Sequence, residues 1–288
     1  MYLIKRDECP TCSEKEYKEI YSLPFKSFKM QKFLKNYYKD TLELDKFNDY
    51  DFKLLECQNC NLIFQEQIPS NEFSSELYEN IIDKDISFSK KNDYKKKFSK
   101  KLKYEIQLIQ NLFKKDPKDV SILEFGAGWG NWSLVMKNNY FQIVAYEISN
   151  SRINYMKKNN ITNIDNLNEL KNKFDLIYSE ETFEHIPNPK QTLMKLSSLL
   201  NDNGYILLRF PSSFLFKLKL TEDYCPTNDC AHPLEHINLF RLNSFKKMLK
   251  GTNLKIIIFK SKYNFSLINF LKDIKNFIYF DSILIKKI

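Results

Sequence analysis

The 288-residue sequence predicts an α/β chain in which a mostly parallel sheet follows a small, cysteine-bearing N-terminal module. Three observations carry that prediction. Apolar runs alternate with helical periodicity from residue 120 onward, the pattern of strand–helix units that cover a parallel sheet on both faces. A glycine-rich turn, EFGAGWG at 124–130, closes the first of those runs. Two CxxC pairs, Cys9/Cys12 and Cys57/Cys60, precede it.

The first strand is expected over Ser121–Phe125, between the Asp116-Pro117 breaker and Gly126. Gly126, Gly128 and Gly130 let the backbone turn sharply and approach a ligand with no Cβ in the way. A helix over Asn131–Asn138 then aims its free N–H groups and positive dipole end at the same turn. The second strand, Gln142–Tyr146, ends in Glu147, whose two carboxylate oxygens can accept both hydroxyls of a ribose. From Gly130 to Glu147 is 17 residues, close to the ~20 of nucleotide-binding βαβ units.

Further units follow in order. A helix is expected over 150–159, a short strand over 162–164 with the Asp165-Asn166-Leu167 loop, and a strand over 174–179. After the Pro187-Asn188-Pro189 turn come a helix over 190–200, a turn over 201–204 and a strand over 205–210. A sixth strand over 254–259, an amphipathic helix over 266–277 and a closing strand over 282–285 complete the pattern. Before the sheet, Tyr94, Phe98, Leu102, Ile106, Ile109 and Phe113 recur at three- and four-residue steps, an amphipathic helix that stops at Asp116-Pro117.

In the N-terminal third, each CxxC can turn two thiolates toward one point. Together they supply the four soft ligands of a tetrahedral Zn²⁺. With every position filled by protein, such an ion folds the module and takes no part in chemistry. Residues 14–55 read as an insertion between the pairs with its own strands and a helix. Beyond it come strand-like Leu62-Ile63-Phe64, a turn at Pro69-Ser70-Asn71 and a short helix carrying Phe73, Leu77 and Tyr78. Lysine dominates 84–103, which places a joint near residue 90: a zinc-ribbon-like module and linker over 1–90, a catalytic domain over 91–288.

The segments EFGAGWG, YEIS, FDLIYSEETFEHIPNP and NGYILLRFPSS, in this order, resemble class I S-adenosylmethionine-dependent methyltransferases across residues 95–260. The fold implied is a Rossmann-like methyltransferase sheet. The resemblance implies that Glu124, Phe125, Gly126, Ala127 and Gly128 cradle the methionine part of S-adenosylmethionine, and that Glu147, with Ile148, holds the ribose. Asp165 and Asn166 would flank the adenine, and Ser179 and Glu180 would border the methionine end. A nicotinamide-dependent dehydrogenase, the alternative from a related fold, would carry GxGxxG in place of these alternating glycines.

The order CPTC, second CxxC, LIFQEQIPS and YEN resembles the zinc-binding front end of bacterial methyltransferases, many of which act on nucleotide-linked or polysaccharide sugars. In the sugar C-methyltransferases with this front end, an aromatic from the segment matching Leu77-Tyr78 helps close the active site, which makes Tyr78 a candidate. Histidine is the side chain best poised to act as a base near neutral pH, and the chain has three. His185 lies in FEHIPNP, where it orders the loop after the fourth strand or lines the pocket. His236 lies in PLEHINLF, similar to the C-methyltransferase motif whose histidine is the base, with Glu235 as its neighbour. Two departures stand out: Pro233 replaces that motif's tyrosine, and the large C-terminal domain of those enzymes has no room after residue 260. O-methylation of a sugar-like hydroxyl is therefore expected.

Hydrophobic residues at 43% with 15% aromatics exclude a disordered chain. The net charge of +9 accompanies abundant Lys, Asn, Ile, Phe and Tyr with few Gly, a composition bias that does not by itself announce nucleic acid. An RNA methyltransferase remains an alternative, although SEET stands where base-amine methylating enzymes carry Asn/Asp-Pro-Pro-aromatic. A noncatalytic scaffold is the other. No apolar h-region follows the first residues and no apolar run approaches 20 residues, so a cytoplasmic protein with reduced cysteines is expected. Cys225, Cys230 and His232 have metal-ligand chemistry beside His236, but in no ribbon spacing.

Overall fold

The computed structural model describes residues 1–92, 99–171, 173–213, 215–257 and 280–288. It begins with β1 (Leu3–Lys5), β2 (Tyr17–Pro24), α1 (Phe28–Tyr38), β3 (Asp51–Cys57), β4 (Ile63–Gln65) and β5 (Gln67–Pro69), β1 pairing antiparallel with β5. Ser27 caps α1 by accepting from the Met30 N–H, and the helix buries Met30, Leu34 and Tyr38 at four-residue steps. Ser70 does the same for α2 (Asn71–Glu76), which runs on as a π-turn (Leu77–Ile81) carrying Tyr78. Helices α3 (Lys84–Asn92) and α4 (Ser99–Phe113) lead to the main sheet. Of the periodic residues expected there, Tyr94 and Phe98 lie outside the described residues.

The main sheet contains β6 (Ser121–Phe125), α5 (Asn131–Asn138), β7 (Gln142–Tyr146), α6 (Asn150–Lys158), β8 (Asn163–Ile164), β9 (Phe174–Glu180), α7 (Pro189–Ser198) and β10 (Leu200–Pro211). After β11 (Asn238–Leu239) and α8 (Leu242–Met248), the edge is made by β12 (Leu254–Ile257) and β13 (Phe280–Lys287). The strand order is β12-β13-β10-β9-β6-β7-β8. Strands β8, β7, β6, β9 and β10 run parallel, and β13 is antiparallel to both neighbours. This is the expected α/β, Rossmann-like, mostly parallel sheet.

Several boundaries differ from expectation. The turn expected over 201–204 lies inside β10, where the pairing with β9 shifts register between Leu200 and Tyr205 and Asn203 takes φ 61°. The register shift absorbs the turn residues without ending the strand. The closing strand extends well past 282–285 in both directions and inserts between β10 and β12. The helix expected over 266–277 and the last residues of the strand expected over 254–259 lie outside the described residues.

The N-terminal sheet is not built from residues 1–90 alone. Its order is β11-β4-β3-β2, with Leu239 opposite Ile63 and Asn238 opposite Phe64. Strand β4 is buried along its whole length, so its outer edge needs a partner for its backbone groups. The late strand β11 supplies it. The core follows the same course, with Cys9, Leu55 and Cys57 in one apolar cluster with Phe183, Phe240 and Phe245. Among the described residues no helix is long and apolar enough to cross a membrane.

Gly130 caps α5 at φ 69°, and a Cβ there would lie 2.7 Å from Met156 Cγ and 2.9 Å from Ile161 Cδ1. Gly251 has φ 80° with nothing within 4 Å. Alanine at either position carries left-handed strain of about 1–2 kcal/mol, and only at Gly130 does overpacking add about 1–3 kcal/mol. Urea unfolding should therefore rank Gly130→Ala below Gly251→Ala in stability. Equal midpoints would refute this packing.

Candidate functional site

The glycine turn joins the C-terminal ends of β6 and β7. The N–H groups of Gly126 and Ala127 donate to Tyr146 O at 2.9 and 3.0 Å, and the Phe125 ring stacks on Tyr146 at 5.1 Å between centroids. Glu147 reaches back across the turn. Its Oε2 accepts from the Gly128 N–H at 2.8 Å, and its Oε1 accepts from the N–H groups of Ile148 and Ser149 at 2.9 and 3.0 Å. A carboxylate with three backbone donors is held in one orientation. Gly126 has φ 76°, and a Cβ there would fall 2.2 Å from Thr182 Oγ1, so the turn lies flush on the loop after β9.

The other residues expected at this ligand lie around the same turn. Glu124 accepts from the N–H and hydroxyl of Ser133, which ties the strand tip to the first turn of α5. Ile148 is 59% exposed although apolar. Asp165 and Asn166 form the exposed loop after β8, where Asn166 Oδ1 accepts from the Asn168 N–H at 3.0 Å. Ser179 Oγ and Asn131 Nδ2 are buried without a hydrogen-bond partner among the described residues. Such orphaned groups beside a turn open to a ligand are what a bound polar molecule satisfies.

A second cluster gathers residues far apart in sequence. Tyr78 comes from the N-terminal segment, His185 from the 3₁₀ turn Phe183–His185 after β9, and Glu235 with His236 from the connection between β10 and β11. Tyr78 Oη lies 2.9 Å from His185 Nδ1, which is 2.8 Å from Glu235 O. His236 Nδ1 is 2.6 Å from Asp229 O, and the two imidazole centroids are 5.0 Å apart. A carbonyl oxygen only accepts, so both Nδ1 atoms carry the proton and both Nε2 atoms keep a lone pair. His232 repeats the arrangement with Pro233 O at 2.7 Å. Burial holds the conjugate acids down: His236 and His232 fall to about 4, and His185 lies well below its ordinary value.

Supporting residues were not evident from the sequence. Gln65, on β4, donates its amide to His232 O at 2.9 Å and to His236 O at 3.0 Å. Tyr38, on α1, donates to Glu235 Oε1 at 2.6 Å. Burial raises the Glu235 carboxyl above its ordinary value, with the Tyr38 hydrogen bond offsetting part of it. The four-step Met30, Leu34, Tyr38 spacing marks a buried helix face, but nothing local indicates that its tyrosine meets a residue 197 positions away.

The four cysteines of the CxxC pairs converge. Their sulfurs all lie within 4.8 Å of one another, with Cys9 to Cys60 and Cys12 to Cys57 both at 3.5 Å. Sulfurs about 2.3 Å from one zinc form tetrahedron edges of about 3.8 Å, so the set fits that ion. Each pair is a turn of one design: the Ser13 N–H donates to Cys9 O and the Asn61 N–H to Cys57 O, with Ser13 and Asn61 at φ 57° and 59°. Hydrogen bonds from Cys60 and Thr11 draw the Cys9 thiol down to about 5, favouring thiolate at one corner. Among the described residues, Cys225 and Cys230 join no such group, and Cys225 Sγ faces Lys29 O at 3.6 Å.

The methyltransferase domain family matches residues 94–257, more than half of the chain. The chain belongs to that family. It is an S-adenosylmethionine-dependent methyltransferase. The solved plantazolicin methyltransferase BpumL in complex with SAH is similar at TM-score 0.52 and 18% identity, covering 75% of this chain and 94% of that one. Its complex with a triazolic desmethylPZN analog and SAH gives 0.53 and 20%, over 74% and 94%. Magnesium protoporphyrin IX methyltransferase from Synechocystis PCC 6803 with bound SAH gives 0.48 and 14%, over 68% and 84%. No curated protein sequence matches the chain.

In this methyltransferase Glu180 is already occupied. Lys101 on α4 and Arg209 on β10 pair with it, and Tyr178 Oη donates to it at 3.0 Å. Arg209 also pairs with Glu105 at 2.6 Å, and Glu105 accepts from Trp132 Nε1 at 2.9 Å. Burial would push the Glu180 carboxyl up, but the two cations outweigh it and hold it below its ordinary value. A carboxyl so depressed adds stability that is complete above its unfolded pKa of about 4.5 and lost as pH falls through the lower folded value. Glu180→Gln should thus flatten the fall in stability below about pH 4.5, measured by urea unfolding at stepped pH. Parallel acid limbs for variant and wild type would contradict the ion-pair assignment.

Proposed function

We propose that this methyltransferase transfers the methyl group of S-adenosylmethionine to a hydroxyl of a nucleotide-linked or polysaccharide sugar. The observation that carries the proposal is the convergence of Tyr78, His185, Glu235 and His236 from three separate segments on one half-buried polar cluster. Bound S-adenosylmethionine supplies an electrophilic methyl on a sulfonium, so positioning and proton removal are what remain for the chain. Gly126 and Gly128 offer backbone without a Cβ, Glu147 presents a carboxylate for the ribose, and exposed Ile148 offers an apolar face for the adenine. Ser179 Oγ and Asn131 Nδ2 are polar groups in want of a partner for the methionine end.

At the acceptor, the Nε2 lone pair of His236 takes the hydroxyl proton as the oxygen–methyl bond forms and the carbon–sulfur electrons return to sulfur. Because Asp229 O fixes the Nδ1 proton, the lone pair is presented without rearrangement. Tyr78 shares the His185 nitrogen with Glu235 O and closes the pocket from the N-terminal side. C-methylation is the second reading. The Tyr78–His185 contact favours it, whereas Pro233 in place of a tyrosine does not. Carbon-13 NMR of product made with methyl-labelled donor distinguishes O–CH₃ from C–CH₃.

Calorimetry with SAH should give a Glu147→Ala variant at least tenfold weaker than wild type, since the change removes the ribose acceptor and unfastens Gly128. In His236→Ala, SAH affinity should persist while turnover falls about 10²–10⁴-fold. Unchanged turnover would eliminate His236 as the base.

We also infer that Cys9, Cys12, Cys57 and Cys60 hold a structural Zn²⁺, supported by the convergence of their sulfurs. Cys57→Ser should lower bound zinc by one equivalent, and the N-terminal sheet should become protease-sensitive, because metal affinity at such a site is folding free energy. Retention of that equivalent in the variant would place the metal elsewhere.

A further inference from the structure

Beside the acceptor cluster lies a carboxylate that methyl transfer does not use. Glu184, in the 3₁₀ turn after β9, is 1% exposed, and among the described residues neither of its oxygens has a hydrogen-bond partner. A buried carboxyl without a hydrogen-bond partner calls for an explanation, and a ligand that completes it is one. What faces it is specific. His185 Nε2 stands 3.9 Å from Glu184 Oε1, and one ligand atom from each of Glu184, His185 and His236 lies within 4.8 Å of the other two.

The imidazoles have the tautomer that a metal requires. Both Nδ1–H groups are spent on backbone carbonyls, at 2.8 Å to Glu235 O and 2.6 Å to Asp229 O. A ring N–H fixed on a carbonyl is the outer support that orients metal-bound histidines. Two imidazoles and a carboxylate on one face suit a divalent transition metal and leave coordination positions open. The Cys9–Cys60 group is a separate set with different ligand chemistry.

We propose that Glu184, His185 and His236 bind one divalent transition-metal ion, of the Mn²⁺ or Zn²⁺ class, at the acceptor end of the active site. Occupancy uses the Nε2 lone pair of His236, so the ion and direct proton uptake by that residue exclude each other. This second statement rests on His236 being the base. The binding site itself does not.

The test uses the full chain with its cysteine site loaded with zinc, and Mn²⁺ alone as the probe, because thiolates select against Mn²⁺. Loss of the aqueous Mn²⁺ electron paramagnetic resonance signal should report one ion bound per chain, displaced by Zn²⁺. Glu184→Gln and His236→Ala should each weaken binding at least tenfold, whereas Cys225→Ser should leave it unchanged. If Glu184→Gln fails to fold, as judged by circular dichroism, His236→Ala decides. Absence of any Mn²⁺ or Zn²⁺ beyond the cysteine-held ion, or affinity indifferent to both substitutions, would overturn the site. Turnover should fall as added Zn²⁺ fills it, whereas turnover that rises with occupancy would overturn the exclusion and the base assignment but keep the site.

Discussion

The pairing of β11 with β4 is the constraint on which the proposed acceptor end depends. Strand β4 is buried on both faces, and Asn238 and Leu239 stand opposite its outer edge, with the Gln65 N–H donating to Ile237 O. Once that ladder forms, the chain just before it has to run beside Gln65, whose amide donates to the carbonyls of both His232 and His236. Arg6 Nη1 reinforces it by donating to Asn238 Oδ1 at 2.8 Å, while Asn238 Nδ2 donates to Ile186 O at 2.7 Å. Gln65, Arg6 and Asn238 thus tie this junction to three other segments, which makes it cooperative.

The cofactor end of the fold could be read from the sequence because its determinants are local. Strand, glycine turn and helix follow one another within residues 121–138, and Glu147 is the last residue of the next unit. The cysteine turns were legible for the same reason, each being a closed loop of four or five residues. The acceptor end is made of contacts with sequence separations of 50, 107 and 197 residues, between His185 and Glu235, Tyr78 and His185, and Tyr38 and Glu235. No periodicity encodes these separations. Only the resemblance to enzymes with a similar front end pointed at Tyr78 and His236, and it gave no hint of Tyr38, Gln65 or the unpaired Glu184. Asn-Asp-Asn-Gly is a turn by composition, and the strand passes through it because Leu200 and Tyr205 on either side pair with β9, leaving the four residues between them as an irregularity.

The two ends of the site also differ in how they treat charge. Around the glycine turn, charged side chains are either bound to backbone N–H groups, as Glu147 is, or neutralised by cations, as Glu180 is by Lys101 and Arg209. On the proposed assignment this matters for catalysis. Methyl transfer consumes the positive charge of the sulfonium, so an uncompensated carboxylate beside it would stabilise the starting state more than the transition state. A carboxylate already paired with two cations keeps its hydrogen-bonding oxygens without that penalty.

At the proposed acceptor end, by contrast, His232 is buried with its Nε2 unpartnered, His185 and His236 are half-buried, and among the described residues neither Glu184 nor Glu235 forms an ion pair with a lysine or arginine. Burial of this kind is costly, and the fold tolerates it through the Gln65, Tyr38 and backbone-carbonyl contacts that hold each group's other end. Those contacts fix orientation but do not discharge the need for a partner at Nε2 and at the Glu184 oxygens. The acceptor hydroxyl can satisfy one lone pair. On the proposed metal site, a divalent ion takes that same lone pair together with Glu184 and His185, in place of the hydroxyl.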